Sequence, residues 1–209
     1  MLPDEAPGAT AHRAVLELHD PLTSTDIEAA GRRVPLETDL TTPLAYGLSQ
    51  PELQNLDSST EGLRHPDSLK LRGLFMLDPY KPGKIPVIMV HGLWSSPVTW
   101  MEMFNDLRSA PELRSRYQFW FYLYPSGQPF WISAAELRRD LAEMRATLDA
   151  HGPDPALDQM LLVGHSMGGL VSRLQTIDSG ENYWKLVSDQ PVEAVKASDE
   201  TRSALASLY

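Results

Sequence analysis

The chain alternates between two spacings of apolar residues, a period of two and a period near 3.6, and the alternation is clearest from Leu69 onward. "LKLRGLFML" (Leu69 to Leu77) switches between apolar and polar residues as a half-buried strand does, and "DPYKPG" after it is turn chemistry. "IPVIMVHG" (Ile85 to Gly92) is a continuous apolar run rich in β-branched residues, the pattern of a strand buried on both faces. A helix is expected around Thr99 to Arg108. "YQFWFYLYP" (Tyr117 to Pro125) then reads as a second buried strand, closed by proline.

Ser133 with Glu136 three residues on predicts a capping box, and Ala134, Leu137, Leu141, Met144 and Leu148 follow at spacings of three and four. His151-Gly152-Pro153 stops that helix. "QMLLVG" (Gln159 to Gly164) predicts a third buried strand, and Met167, Leu170, Val171, Leu174 and Ile177 predict the apolar face of a helix starting directly after Ser166. Strand, helix, strand, helix in this order implies right-handed βαβ crossovers, so the fold class is α/β with a mostly parallel sheet flanked by helices.

Upstream, "AVLELHD" (Ala14 to Asp20) alternates like a strand ended by Pro21. Residues 21–68 carry many Pro, Thr, Ser and Asp and read as loops with strand fragments, around Val34-Pro35-Leu36 and Leu44 to Leu48. We expect residues 1–68 to be N-terminal strands and loops that begin the same sheet, and residues 69–209 to be the front part of the α/β core.

Gly164-His165-Ser166-Met167-Gly168 is a G-x-S-x-G motif between a predicted strand and a predicted helix, the context this motif needs. Ser166 is expected on a sharp, strained turn with its hydroxyl projecting from the top of the sheet, where the dipole of the following helix favours developing negative charge. A Cβ at Gly164 or Gly168 would collide across that turn. The second motif is His91-Gly92-Leu93-Trp94, at the end of the Ile85 strand. Acyl transfer places charge on a carbonyl oxygen that two backbone N–H groups must meet, and Leu93 and Met167 are the expected donors. Trp94, beside Leu93, is the candidate lining residue of a substrate pocket. Ser126 in "YPSGQPFW" has no motif and reads as a turn residue.

These two motifs resemble the α/β-hydrolase superfamily, and within it the lipase and esterase-like branch, which has an H-G-x oxyanion loop and a G-H-S-M-G-G elbow. The resemblance covers Leu69 to about Ile177. It implies an α/β-hydrolase fold with Ser166 as nucleophile. It also implies supporting roles for His91, Gly92, Gly164, His165 and Gly168, with His91 bracing the oxyanion loop by hydrogen bonding. The family order is Ser, then Asp or Glu, then His.

The sequence departs from that order. Its six histidines (His12, His19, His65, His91, His151, His165) all precede Ser166. The carboxylates that follow it (Asp178, Glu181, Asp189, Glu193, Asp199, Glu200) come before any further predicted strand. His165 adjoins the nucleophile and points away from its hydroxyl, and His12, His19, His65 and His151 read as surface or loop residues. We therefore expect the triad acid and histidine to lie outside these 209 residues and the fold to be incomplete, lacking its later strands. The fragment by itself would then be inactive. The Leu161 strand would be left with an exposed edge for self-association.

Composition narrows the function further. A net charge of −10, with 18 Lys plus Arg dispersed along the chain, argues against nucleic acid as a partner. The absence of cysteine removes thiol catalysis and Cys-ligated zinc. Two histidines at adjacent strand ends, without a carboxylate set, do not make a metal site, so neither metal nor cofactor is expected. No window resembles a signal peptide or a transmembrane segment. The cytoplasm is the default compartment, and export would need a leader ahead of Met1. The resulting expectation is a serine hydrolase that cleaves carboxylic, lipid-like or acyl esters through an acyl-enzyme. Two alternatives share the motifs: an acyltransferase or thioesterase with the same serine, and a non-catalytic binding module.

Overall fold

The computed structural model describes residues 16–49, 72–150, 152–178, 180, 182, 184–186 and 188–208. His12, His65, His151 and Glu181 lie outside the described residues, as do Ala14 and Leu69 to Leu71. Two compact units part after Asp39, upstream of the boundary near Leu69 that the sequence suggests.

In the first unit, β1 (Asp26–Ala29) and β2 (Arg32–Pro35) pair antiparallel and form a sheet of their own. Ala30 and Gly31 both take positive φ, 51° and 69°, as the tightest hairpin turn requires. The expected strand before this hairpin is absent from the described residues 16–20, where Leu16 and Leu18 are exposed. Alternation gives a strand only where a neighbour accepts its backbone hydrogen bonds, and none pairs here.

The second unit opens with α1 (Thr41–Leu48), where strand fragments were expected. Leu44 and Leu48, one turn apart, both pack on the core, and Pro43 is tolerated in a first turn. The elements that follow are β3 (Gly73–Met76), β4 (Ile85–Val90), a 3₁₀ turn at Pro97–Trp100, α2 (Met101–Ser109) and α3 (Pro111–Arg116). Next come β5 (Tyr117–Leu123), α4 (Phe130–Asp149), β6 (Leu161–Gly164), α5 (Met167–Arg173) and α6 (Asp199–Leu208). Strand order is β3-β5-β4-β6, with β3 antiparallel to β5 and the other three strands mutually parallel.

Period-two alternation sorts the strands' side chains onto two faces. Ile88, Val90, Trp120 and Tyr122 meet Ala134 and Leu137 of α4 and Val171 of α5, with Leu141, Met144 and Leu148 at the margin. Met89 and Phe121 point the other way and meet Trp100, Met101 and Phe104, with Leu44 and Leu48 at the margin. Helices therefore cover both faces of a mostly parallel sheet, as the sequence predicts.

Three local expectations need correction. The long helix begins at Phe130, with Pro129 as N-cap, so Ser133 lies inside its first turn and makes no capping box. Gln128 ties this end instead, its Nε2 donating to Ser133 Oγ at 2.9 Å and to Glu136 Oε2 at 2.7 Å. The third strand is not buried on both faces: Leu161 is exposed, and β6 is an edge strand among the described residues. Finally, α5 stops at Arg173, which leaves Ile177 beyond it and Leu170 on its exposed side.

From β4 the chain crosses first to β5 on one side and then to β6 on the other. The C-terminal end of β4 is thus the sheet's topological switch point, where open α/β sheets leave a crevice between diverging loops. The loops after β4 and β6 meet there.

Candidate active site

Ser166 closes the turn from β6 into α5 with φ 53° and ψ −121°, a left-handed strain for a non-glycine residue. The side chain does not cap its own helix, and the residue is exposed. Backbone bonds fix the turn: His165 N–H donates to Val90 O at 3.0 Å, Gly168 N–H to His165 O at 2.9 Å and Gly169 N–H to Ser166 O at 2.9 Å. The two motif glycines are required for different reasons. A Cβ on Gly164 would stand 2.4 Å from Gly168 O across the turn, whereas one on Gly168 would stand 2.2 Å from Val90 O, in the end of β4.

The His91–Trp94 loop comes down on the same turn. A Cβ on Gly92 would meet His165 Nδ1 at 3.0 Å and Ser166 Cβ at 3.1 Å, so any side chain here would have to push the two segments apart by a few tenths of an ångström. Leu93 and Trp94 side chains are both exposed, and Trp94 takes φ 55°. Neither the Leu93 nor the Met167 amide donates to an acceptor among the described residues.

His91 is buried and fully engaged. Its Nε2 accepts the Tyr124 N–H at 3.3 Å, which leaves Nδ1–H to donate to Gly92 O at 3.0 Å. Its ring stacks on Tyr124 at 4.4 Å, and the Tyr124 hydroxyl donates to His91 O at 2.7 Å. Burial drives the imidazole pKa down to about 4 and pushes the Tyr124 phenol up, so the histidine is neutral and the phenol remains a donor.

Residues 87–197, more than half of the chain, match the model of the alpha/beta hydrolase family. The chain belongs to the alpha/beta hydrolase family. No curated protein and no solved structure matches it. Family membership gives this hydrolase a hydrolase-type function and a small-molecule substrate. No helix among the described residues is long and apolar enough to cross a membrane.

The structure brings Ser166, Met167, Gly92, Leu93 and His91 of the hydrolase together, with Trp94 on the rim. Ser126 is the turn residue that the sequence suggests, but sequence reasoning missed its role: it is buried in the turn after β5, and its Oγ accepts the Trp94 N–H at 3.3 Å. Sequence reasoning also missed the full role of Tyr124. Both residues lie 32 or 33 positions from their partners, and the tight "YPSG" turn after a buried strand is the single local sign of them. His165 faces the ring of Trp100 edge-on at 6.5 Å, consistent with packing.

Proposed function

We propose that this hydrolase cleaves carboxylic esters through an acyl-enzyme on Ser166, with the Leu93 and Met167 amides as oxyanion donors. The observation that supports the reading most is the approach of Gly92 to a strained, exposed Ser166 at the switch point of the sheet. Ser166 Oγ bonds to the ester carbonyl carbon, and the carbonyl electron pair moves onto oxygen, where two N–H groups without other acceptors can meet it. Collapse then expels the alcohol, which carries away the Ser166 hydroxyl proton. Water releases the acid from the acyl-enzyme while one of its protons returns to Ser166 Oγ. The exposed Leu93 and Trp94 beside the serine favour esters with apolar acyl groups, in line with the lipase and esterase-like branch. The same serine serves an acyltransferase or thioesterase when the acceptor or leaving group differs.

His91 is a brace in this reading and not the base, since both ring nitrogens are engaged and the ring stays neutral. That engagement leaves room for a second reading, in which the fold binds a ligand without turnover. A fluorophosphonate probe with peptide mapping, together with p-nitrophenyl butyrate hydrolysis, separates the two. Adduct formation on Ser166, abolished in Ser166→Ala, is the expected result, and ester turnover follows only where a general base is supplied. A folded protein whose Ser166 takes no adduct overturns the esterase reading in favour of the binding module. The edge of β6, with Leu161 exposed, is the face proposed for self-association, and a concentration-dependent size in gel filtration tests it.

A further inference from the structure

On the sheet face opposite α4, a cavity of about 350 Å³ lies between α1, β3 and the start of α2. Leu44, Leu48, Phe75, Met101 and Phe121 make much of its wall, and among the described residues Arg108 is the one lining residue that is neither apolar nor glycine. No lining residue belongs to the His91–Trp94 loop or to the turn around Ser166. The cavity is therefore separate from the candidate active site, and its volume is within the range of small-molecule sites.

Arg108 is half-buried. One terminal nitrogen, Nη2, donates to Leu40 O at 3.1 Å, and the guanidinium lies 5.1 Å over the Phe104 ring. Its Nε is buried without an acceptor, and no carboxylate among the described residues forms an ion pair with it. The buried Nε is closed off from the cavity and is not the donor a ligand would meet. A half-buried guanidinium that faces an apolar cavity, with no carboxylate partner among the described residues, favours an anion, and a carboxylate in particular. An apolar wall with a single cation suits a ligand with one negative end and a hydrocarbon body. A phosphate would need donors that this wall lacks.

We infer that this cavity binds an unbranched aliphatic carboxylate, with its carboxylate on Arg108 and its chain along Leu44, Leu48, Phe75 and Phe121. Such a ligand has the chemistry of an acid released from an acyl ester, but the inference stands without the proposed reaction, because no residue of that site takes part.

The test is calorimetric titration of sodium decanoate, below its micelle concentration, into the protein and its Ser166→Ala variant, with 1-decanol as the uncharged comparison. Both proteins should bind one decanoate, at least about tenfold more tightly than decanol. Arg108→Gln should weaken decanoate by about tenfold and leave decanol unchanged, while Leu48→Trp should abolish both. Equal affinity for decanoate and decanol, no loss in Arg108→Gln, or no binding overturns the inference. Binding lost in Ser166→Ala overturns it too, because the ligand would then occupy the serine site. If Arg108→Gln fails to fold, Arg108→Lys replaces it: retained preference for decanoate supports the inference, and lost preference in a folded variant overturns it.

Discussion

The amide of Trp94 donates to the buried hydroxyl of Ser126 across 3.3 Å, joining the loop after β4 to the turn after β5. Trp94 is held in a left-handed conformation that a bulky residue adopts only when its surroundings impose it. With Tyr124 gripping His91 through its hydroxyl and its amide, two residues of one segment orient a four-residue loop through three hydrogen bonds. The Leu93 amide, between the two anchors, has its direction fixed without a bond of its own.

Ser126→Ala should therefore release Trp94 and blur the direction of the Leu93 N–H. Fluorophosphonate labelling of Ser166 should slow by about ten- to a hundredfold, since a misplaced oxyanion donor costs up to about 10²–10³. Loss of global stability should be near 1 kcal/mol, the cost of one orphaned amide. Ser126→Thr, which keeps the oxygen, should recover most of the labelling rate. A labelling rate unchanged in Ser126→Ala would remove Ser126 from the positioning network.

The glycines of the turn are not equivalent. Ala at Gly164 or Gly168 would place a Cβ within 2.4 Å of backbone that cannot move aside, so each variant should lose at least about 2 kcal/mol and give little soluble protein. Gly169→Ala meets its nearest atom at 3.8 Å inside α5, an ordinary contact, and should be neutral or gain up to about 1 kcal/mol from helix propensity. Urea unfolding of the three variants checks the ranking.

Much of the region from Ile85 to Ser166 was legible in the sequence because buried parallel strands demand unbroken apolar runs, and a covering helix demands the 3.6 period that Ala134, Leu137 and Leu141 supply. The G-x-S-x-G glycines were legible as a need for space. What presses on Gly168 was not, because the end of β4 is brought there by the fold and not by the turn. Helix α1 was misread because its eight residues leave too short an apolar pattern to separate from a strand. The Ser133 capping box misled because Pro129 starts the helix one turn earlier. The role of Ser126 was invisible for a third reason: its partner is chosen by strand adjacency, and nothing in "YPSG" names the loop that faces it.

At the opposite end of the sheet, Tyr80 O–H donates to Asp154 Oδ2, which also accepts Gly83 N–H at 2.8 Å, while Oδ1 accepts Ala156 N–H at 3.0 Å. These bonds tie the turn before β4 to the one before β6. Burial, then the neighbouring carboxylate, pushes the Tyr80 phenol up to about 12. Its folded pKa exceeds the unfolded value near 10, so its contribution is whole below pH 10 and lost as pH rises toward 12. An absorbance titration of wild type against Tyr80→Phe should isolate one tyrosine ionising at about 12, and Tyr80→Phe should cost about 1 kcal/mol at neutral pH. Labelling of Ser166 should be unchanged, because no atom of this cluster belongs to the active-site loops.

His91 predicts the acid side of the stability curve. Its imidazole pKa falls from the usual 6.5 to about 4 on folding, so between these values the unfolded chain binds a proton that the native state refuses. Stability contributed by the neutral ring is complete above pH 6.5 and declines as pH falls toward 4, by roughly 3 kcal/mol at the end of the window. The decline should begin above the range in which exposed carboxylates titrate, and thermal unfolding at half-unit pH steps would resolve it. His91→Gln keeps a side chain able to donate and accept but has no proton to gain. It should be less stable at pH 7, through lost stacking on Tyr124, and flatter between pH 6.5 and 4.5. An NMR titration gives the independent check: the His91 ring should stay neutral down to about pH 4, and a midpoint near 6.5 would show that the buried brace is not formed.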